Sequence, residues 1–368
     1  MAYTNIDDPS AHFQTALYTG EGSTVVTVTN DGNSDLQPDF LWFKRRDAVA
    51  PHVLLDTSRG ANVTSGFGPT GYSKALNSNS NAAEVADSNG VMTITSDGFT
   101  SKEMTAASGS VSTGSMVCWQ WHCNGGTTST NNDGSLTSTV QVNQDAGFSI
   151  VTYAGASSTG TIGHGLGEAP KVILVRARNK NVPTSWIMYH EDGSTSDDDY
   201  FILNGTFAKA TQAGIWNNQY PSSTVFGIAN DFWVNQSGVD YLAYCFAEKQ
   251  GYSKFGKYVG NGSASNGSFV YTGFKPAFVM TKSTGTGSWS LYDHKRLGYN
   301  PIDVWLRANG SDAESTGAIS GEDIDLLSNG FKLRNSDNTI NGSGQAYIYM
   351  AFAENPFVTS TGIPTTAR

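Results

Sequence analysis

Six histidines (His12, His52, His122, His164, His190 and His294) and three cysteines (Cys118, Cys123 and Cys245) are the side chains best suited to proton transfer, nucleophilic attack or metal ligation. Their spacing supports none of these. Nucleophilic catalysis needs Ser or Cys beside a base that a third group orients, and no histidine lies in a recognisable nucleophile motif. Gly163-His164-Gly165-Leu166-Gly167 has the glycines of a phosphate loop without its spacing, and reads as a tight turn. There is no H-E-x-x-H or C-x-x-C pair for a metal. The oxygen-rich stretches DGSTSDDD (192–199) and NSDNTING (335–342) lack the ordered ligand spacing of a calcium loop and read as solvated loops. Nothing singles out a carboxylate pair for sugar hydrolysis. The expectation is therefore no catalytic residue, no metal and no cofactor.

What remains is a set of aromatics in polar surroundings. Trp216 and Tyr220 lie in GIWNNQYPSS, and Tyr299 and Trp305 in RLGYNPIDVW. Aromatic rings on such loops can stack on sugar rings while Asn and Asp bind hydroxyls, although capping the ends of β-sandwiches is the reading their setting favours. These four are the candidate glycan contacts.

The elements that must position them are strands. Only 15% of residues are charged and Gly stands at 41, while Ser and Thr are abundant beside Val, Ile, Tyr and Phe. No long run combines a 3.6-residue period with good helix formers, so the fold class expected is all-β. The formal net charge is −10, without a block of five like charges, which argues against nucleic acid or anionic membrane as a partner. The opening MAYTNIDDPS lacks a basic n-region and an apolar core, and no apolar segment reaches the roughly 18 residues of a membrane helix. A soluble protein assembled in a cytoplasm is expected, with its cysteines as buried free thiols.

The strongest signal is internal repetition. YLAYCFAEK at 241–249 returns as YIYMAFAEN at 347–355, an offset of 106 residues. Pro38, Pro170 and Pro276 each open an apolar strand that ends on a basic residue: Lys44, Arg176 and Lys282. Ser185-Trp186-Ile187-Met188-Tyr189-His190 matches Ser288-Trp289-Ser290-Leu291-Tyr292-Asp293, with a weaker version at His52-Val53-Leu54-Leu55-Asp56. Turn pairs precede Phe99, Phe232 and Phe331. Three tandem β-sandwich modules (jelly-roll or lectin-like) of about 105 residues follow: 12–123, 147–248 and 253–354. Each is expected to bury its own core of recurring aromatics (Tyr18, Tyr153, Tyr258, Trp186, Trp289, Phe246 and Phe352). Residues 1–11 read as an N-terminal arm, 124–146 as a polar, flexible linker, and 355–368 as an extended C-terminal tail. The short join between the second and third units predicts that those two dock as a pair.

The stretches YTNIDDPSAHFQTALYTG, GFSIVTYAG, YLAYCFAEKQGYSKFGKYVGNGS, FVYTGFKPAFVM and YIYMAFAENPFVTSTGIPTTAR resemble a repeat family of tailed bacteriophages, especially marine ones. The resemblance covers essentially the whole chain and transfers no catalytic or binding residue. It implies a non-enzymatic structural protein localised to the virion, with other tail or capsid proteins and host-surface glycan as partners and a homo-oligomeric state. The role implied first is tail fibre or receptor-binding adhesin. A capsid decoration protein is the alternative, and a polysaccharide depolymerase a third.

Overall fold

The computed structural model describes residues 3–59, 73–87, 91–102, 113–179, 184–315 and 321–365. Among them are strands, turns and three short 3₁₀ turns, with no α-helix. The all-β class read from composition holds.

Twelve strands carry the architecture. They are β1 (Phe13–Glu21), β2 (Phe40–Arg45), β3 (Val53–Asp56), β4 (Thr113–Trp121), β5 (Phe148–Ala154), β6 (Val172–Ala177), β7 (Ile187–His190), β8 (Asp240–Phe246), β9 (Ser253–Val259), β10 (Phe274–Ser283), β11 (Trp289–Asp293) and β12 (Ala346–Pro356). The hydrogen-bonded order is β1-β4-β2-β3 in the first sheet, and β5-β8-β6-β7 and β9-β12-β10-β11 recur inside the other two. All pairings are antiparallel, and the closing strand of each unit lies between the first two.

These strands read as nearly continuous apolar runs because both of their faces are covered. Along β2, Leu41 and Phe43 point into a core private to the first unit, while Phe40 and Trp42 point the other way. In β8, Tyr241, Ala243 and Cys245 enter a second private core, and Leu242, Tyr244 and Phe246 face away from it. In β12, Tyr347, Tyr349 and Ala351 enter a third, with Ile348, Met350 and Phe352 opposite. Small outer sheets cover the private cores: Val26–Thr29, Gly98–Ser101 and Val91–Thr95; Gly160–Gly163 and Val225–Ile228; Phe269–Tyr271, Gly330–Leu333 and Ile324–Leu327.

The opposite faces do not meet solvent. They meet each other in one shared core containing Phe13, Trp121, Phe246, Phe278 and Phe352. Phe40 of the first unit lies 4.2 Å from Tyr244 of the second, ring centre to ring centre. Trp121 and Phe246 approach Phe352 of the third at 5.5 and 5.8 Å. Each such ring contributes about 1.5–3 kcal/mol by burial. Each unit does bury a core of its own, but of the recurring aromatics expected to fill it Trp186, Trp289, Phe246 and Phe352 lie instead in a common core that joins all three units, the first included.

The connecting segments are also corrected. Residues 124–146 are not a spacer. Ser129–Asn131 and Ser138–Asn143 form two strands that extend the second sheet beyond β5. Their Ser, Thr and Asn content disguised a period-2 pattern in which Ser138 and Val140 are buried. The expected arm folds onto the body, with Ile6 inside the shared core. Asp8 caps Pro9–Ala11, and the Tyr3 hydroxyl donates to the Gly273 carbonyl at 2.6 Å. The tail returns through a bridge between Val358 and Pro364, and Ser360 N–H donates to Asp7 at 2.6 Å. Residues 1–2 of that arm and 366–368 of that tail lie outside the described residues.

Candidate functional site

Two of the histidines, together with buried tryptophans, a tyrosine and carboxylates, are spent at the boundaries between units, where three sets of hydrogen bonds recur. Trp186 Nε1–H donates to the Asn77 carbonyl at 2.9 Å and Trp289 Nε1–H to that of Ile202 at 3.0 Å. The first unit has His52 at this position. Its Nδ1 accepts from Trp42 Nε1–H at 2.8 Å, so its proton sits on Nε2, 2.8 Å from the Arg307 carbonyl. Burial, aided by the Lys44 charge, holds His52 well below the usual imidazole range.

The second set starts four residues later. Tyr244 donates to Asp56 at 2.7 Å and Trp119 to Asp293 at 3.0 Å. At the third boundary His190 replaces the aspartate. Its Nδ1 accepts from Gly193 N–H, and Nε2 faces the Tyr349 carbonyl at 3.1 Å. Burial pushes its pKa down to about 4, although the carbonyl opposes that. Asp56 and Asp293 are each held by an arginine three residues on, Arg59 and Arg296, both at 2.5 Å. Those arginines reach Glu84 and Glu314, which also bind Arg178 and Arg46 of the neighbouring units. The third set is backbone alone: Glu84 to Arg178, Glu314 to Arg46 and Lys209 to Thr284.

Other candidates lie in local turns, loops or the interior. His164 accepts from Leu166 N–H inside a turn with Gly165 and Gly167 at positive φ, as its glycine spacing implied. Cys118, Cys123 and Cys245 are buried free thiols. In the 192–199 loop, Asp198 accepts from Gly214 and Trp216 N–H, and Asp199 binds Lys209 at 2.6 Å. Sequence reasoning missed Asp39, which is buried. Its Oδ2 accepts from the backbone N–H groups of Cys123, Asn124 and Gly125 at 2.7–2.9 Å. One carboxylate closed by three successive amides is a structural clamp; it lies in Pro38-Asp39-Phe40, where only the proline signalled anything.

The four candidate glycan contacts do not converge. Trp216 is a core residue, 2% exposed, with Nε1–H donating to the Asp199 carbonyl at 3.0 Å and its ring edge-on to Tyr189. Asn217 and Asn218, at φ 61° and 49°, turn the chain so that the indole faces inward. Trp305 is half-buried against the third private core, and the Arg307 guanidinium lies 3.8 Å from its ring centre. Neither offers a free ring face to a sugar. Tyr220 and Tyr299 are exposed, at 55% and 67%, on loops of different units.

Of the four, Tyr299 lines a groove. Two depressions, about 350 and 160 Å³, both touch His294 and Glu354 where the third unit meets the first. Thr15, Asp31 and Asn33 supply the first unit's side, and Tyr299 and Asn300 the far end. Thr15 is 2% exposed and its Oγ1 has no hydrogen-bond partner. His294 Nδ1 lies 3.1 Å from the Ala277 carbonyl and therefore carries the proton, which makes Nε2 the ring's acceptor. The charges are paired: Lys295 with Asp31 at 2.7 Å across the boundary, and Lys275 with Glu354 at 2.8 Å. The groove offers hydroxyl, amide and imidazole groups beside an exposed ring.

The chain belongs to a family described as a domain of unknown function (DUF7483), whose model matches residues 8–356. The match runs through all three units and the strands at 129–143 that join the first two. No curated protein and no solved structure matches the chain.

Proposed function

We propose that this member of the DUF7483 family is a structural protein of a tailed-bacteriophage virion, exposed on the particle as a tail fibre component or receptor-binding adhesin that contacts host-surface glycan. The observation that carries the reading is where the chemistry-bearing side chains go. His52, His190, Trp119, Trp186, Trp289, Asp56 and Asp293 all serve the boundaries between units. A body held together this way is a rigid platform for surface loops, which is what an attachment protein requires. The likeness of its repeats to tailed-phage sequences is what supports a phage particle as its setting.

The test is immunogold labelling of intact virions with antibody against the purified chain. Label on the tail is the expected result. Label spread over the head at capsid-lattice stoichiometry would replace this reading with a decoration protein, and a particle free of label would overturn it.

A further inference from the structure

Resting on the adhesin reading, the groove between the first and third units is the place where a ligand fits. Its combined size suits a small oligosaccharide, since ligand clefts typically span about 300–1,000 Å³. Three features speak to the ligand's chemistry. Tyr299, at 67% exposure, is a large ring held out at one end, its face open for stacking by a bound ring. Thr15 Oγ1 is a buried hydroxyl without a partner in the groove lining, and such a group costs free energy until it is hydrogen-bonded. The charged residues are cancelled in pairs, Lys295 with Asp31 and Lys275 with Glu354, so the groove holds no free cation for a sulfate or carboxylate.

We infer that this groove is a saccharide-binding site for a neutral, uncharged oligosaccharide, with Tyr299 stacking on one sugar ring and Thr15, Asn33 and His294 bonding hydroxyls of the next. His294 Nε2 acts as acceptor because Nδ1–H is committed to Ala277. The site is composite: neither unit alone supplies both the ring and the orphan hydroxyl.

The experiment is binding of the full chain to an array of neutral glucans, galactans and mannans alongside sialylated and sulfated oligosaccharides, followed by calorimetric titration of the hits with Tyr299→Ala and Thr15→Val. Neutral oligosaccharides should bind, with affinity reduced on the order of tenfold by Tyr299→Ala. Thr15→Val should weaken binding by a smaller factor while circular dichroism stays unchanged. If neutral glycans bind equally well to both variants, or only anionic glycans bind, the groove assignment is overturned and the adhesin reading survives. If no glycan binds, the groove assignment is overturned, and adsorption of labelled protein to host cells then decides the adhesin reading separately.

Discussion

The indole of Trp119 donates to the carboxylate of Asp293 at 3.0 Å, from the closing strand of the first unit to the third. Asp293 is buried and also holds Arg296, whose guanidinium lies 5.7 Å from the centre of the same indole. Burial by itself raises this carboxyl, yet Arg296 overcomes it and keeps the group below the ordinary aspartate range. Trp119→Phe removes the donor and retains most of the ring. It is expected to cost about 2–3 kcal/mol, the worth of a hydrogen bond to a charged group, in urea denaturation. Asp293→Asn should cost more, about 3–5 kcal/mol, because it strands the buried Arg296. Two variants within experimental error of the parent would show that this contact does not hold the boundary.

Acid should weaken the molecule through His190. Its folded pKa of about 4 lies below the ordinary 6.5, so between those values the unfolded chain binds the extra proton. Stability is therefore complete above about pH 6.5, falls as pH drops toward 4, and falls no further from this group below that. The shift corresponds to about 3 kcal/mol. His190→Gln should reduce the slope of the unfolding free energy against pH across that window, leaving the part that His52 and His164, also held low by burial, contribute. Parallel profiles for parent and variant would contradict the assignment.

Trp216 and Tyr299 should part company. Trp216→Ala is expected to cost about 3–5 kcal/mol of stability, as a fully buried aromatic does. Tyr299→Ala should stay within about 0.5 kcal/mol of the parent, as exposed positions do. Thermal unfolding of the two variants side by side checks both.

Because the inner faces of all three sheets form one core, unfolding should be a single transition. Calorimetric and van't Hoff enthalpies should agree, and residues 253–354 expressed alone should expose Phe278, Met350 and Phe352 and aggregate or remain partly unfolded. Three resolved transitions, or a soluble cooperative fragment, would argue for independent units.

The three thiols should be silent toward a thiol reagent in the native state and react together on denaturation, since Cys118, Cys123 and Cys245 are all buried. Burial raises each of them, which suppresses the reactive thiolate as well as access.

How much of this was legible depended on whether a residue's partner lay inside its own unit. The all-β class and the recurrence of Phe246 and Phe352 could be read from the letters, because strand period and spacing are local properties. Even the faint match of His52 to Trp186 and Trp289 was real. What it concealed was that each of these rings reaches the carbonyl of another unit, a relation that no spacing encodes. The shared core escaped for the same reason: Phe40 and Tyr244 are 204 positions apart in the sequence and in ring contact in space. At Trp216 the signal misled outright. An aromatic among asparagines looks like a loop tip, and only the left-handed turn at Asn217 and Asn218 decides that it points inward. The groove was half visible, with Tyr299 singled out while Thr15 went unnoticed and His294 was only one of six histidines, since their proximity is made by the boundary itself.

The three boundaries share a geometry but not a chemistry: indole to carboxylate at one, phenol to carboxylate at the next, imidazole to a main-chain carbonyl at the last. Identical interfaces would let any unit of one molecule substitute for any unit of another, inviting exchange and endless polymer. Distinct ones work like keyed connectors, in which a misplaced neighbour leaves a buried donor or carboxylate without its mate. The divergence of the repeats is thereby what commits each chain to closing upon itself.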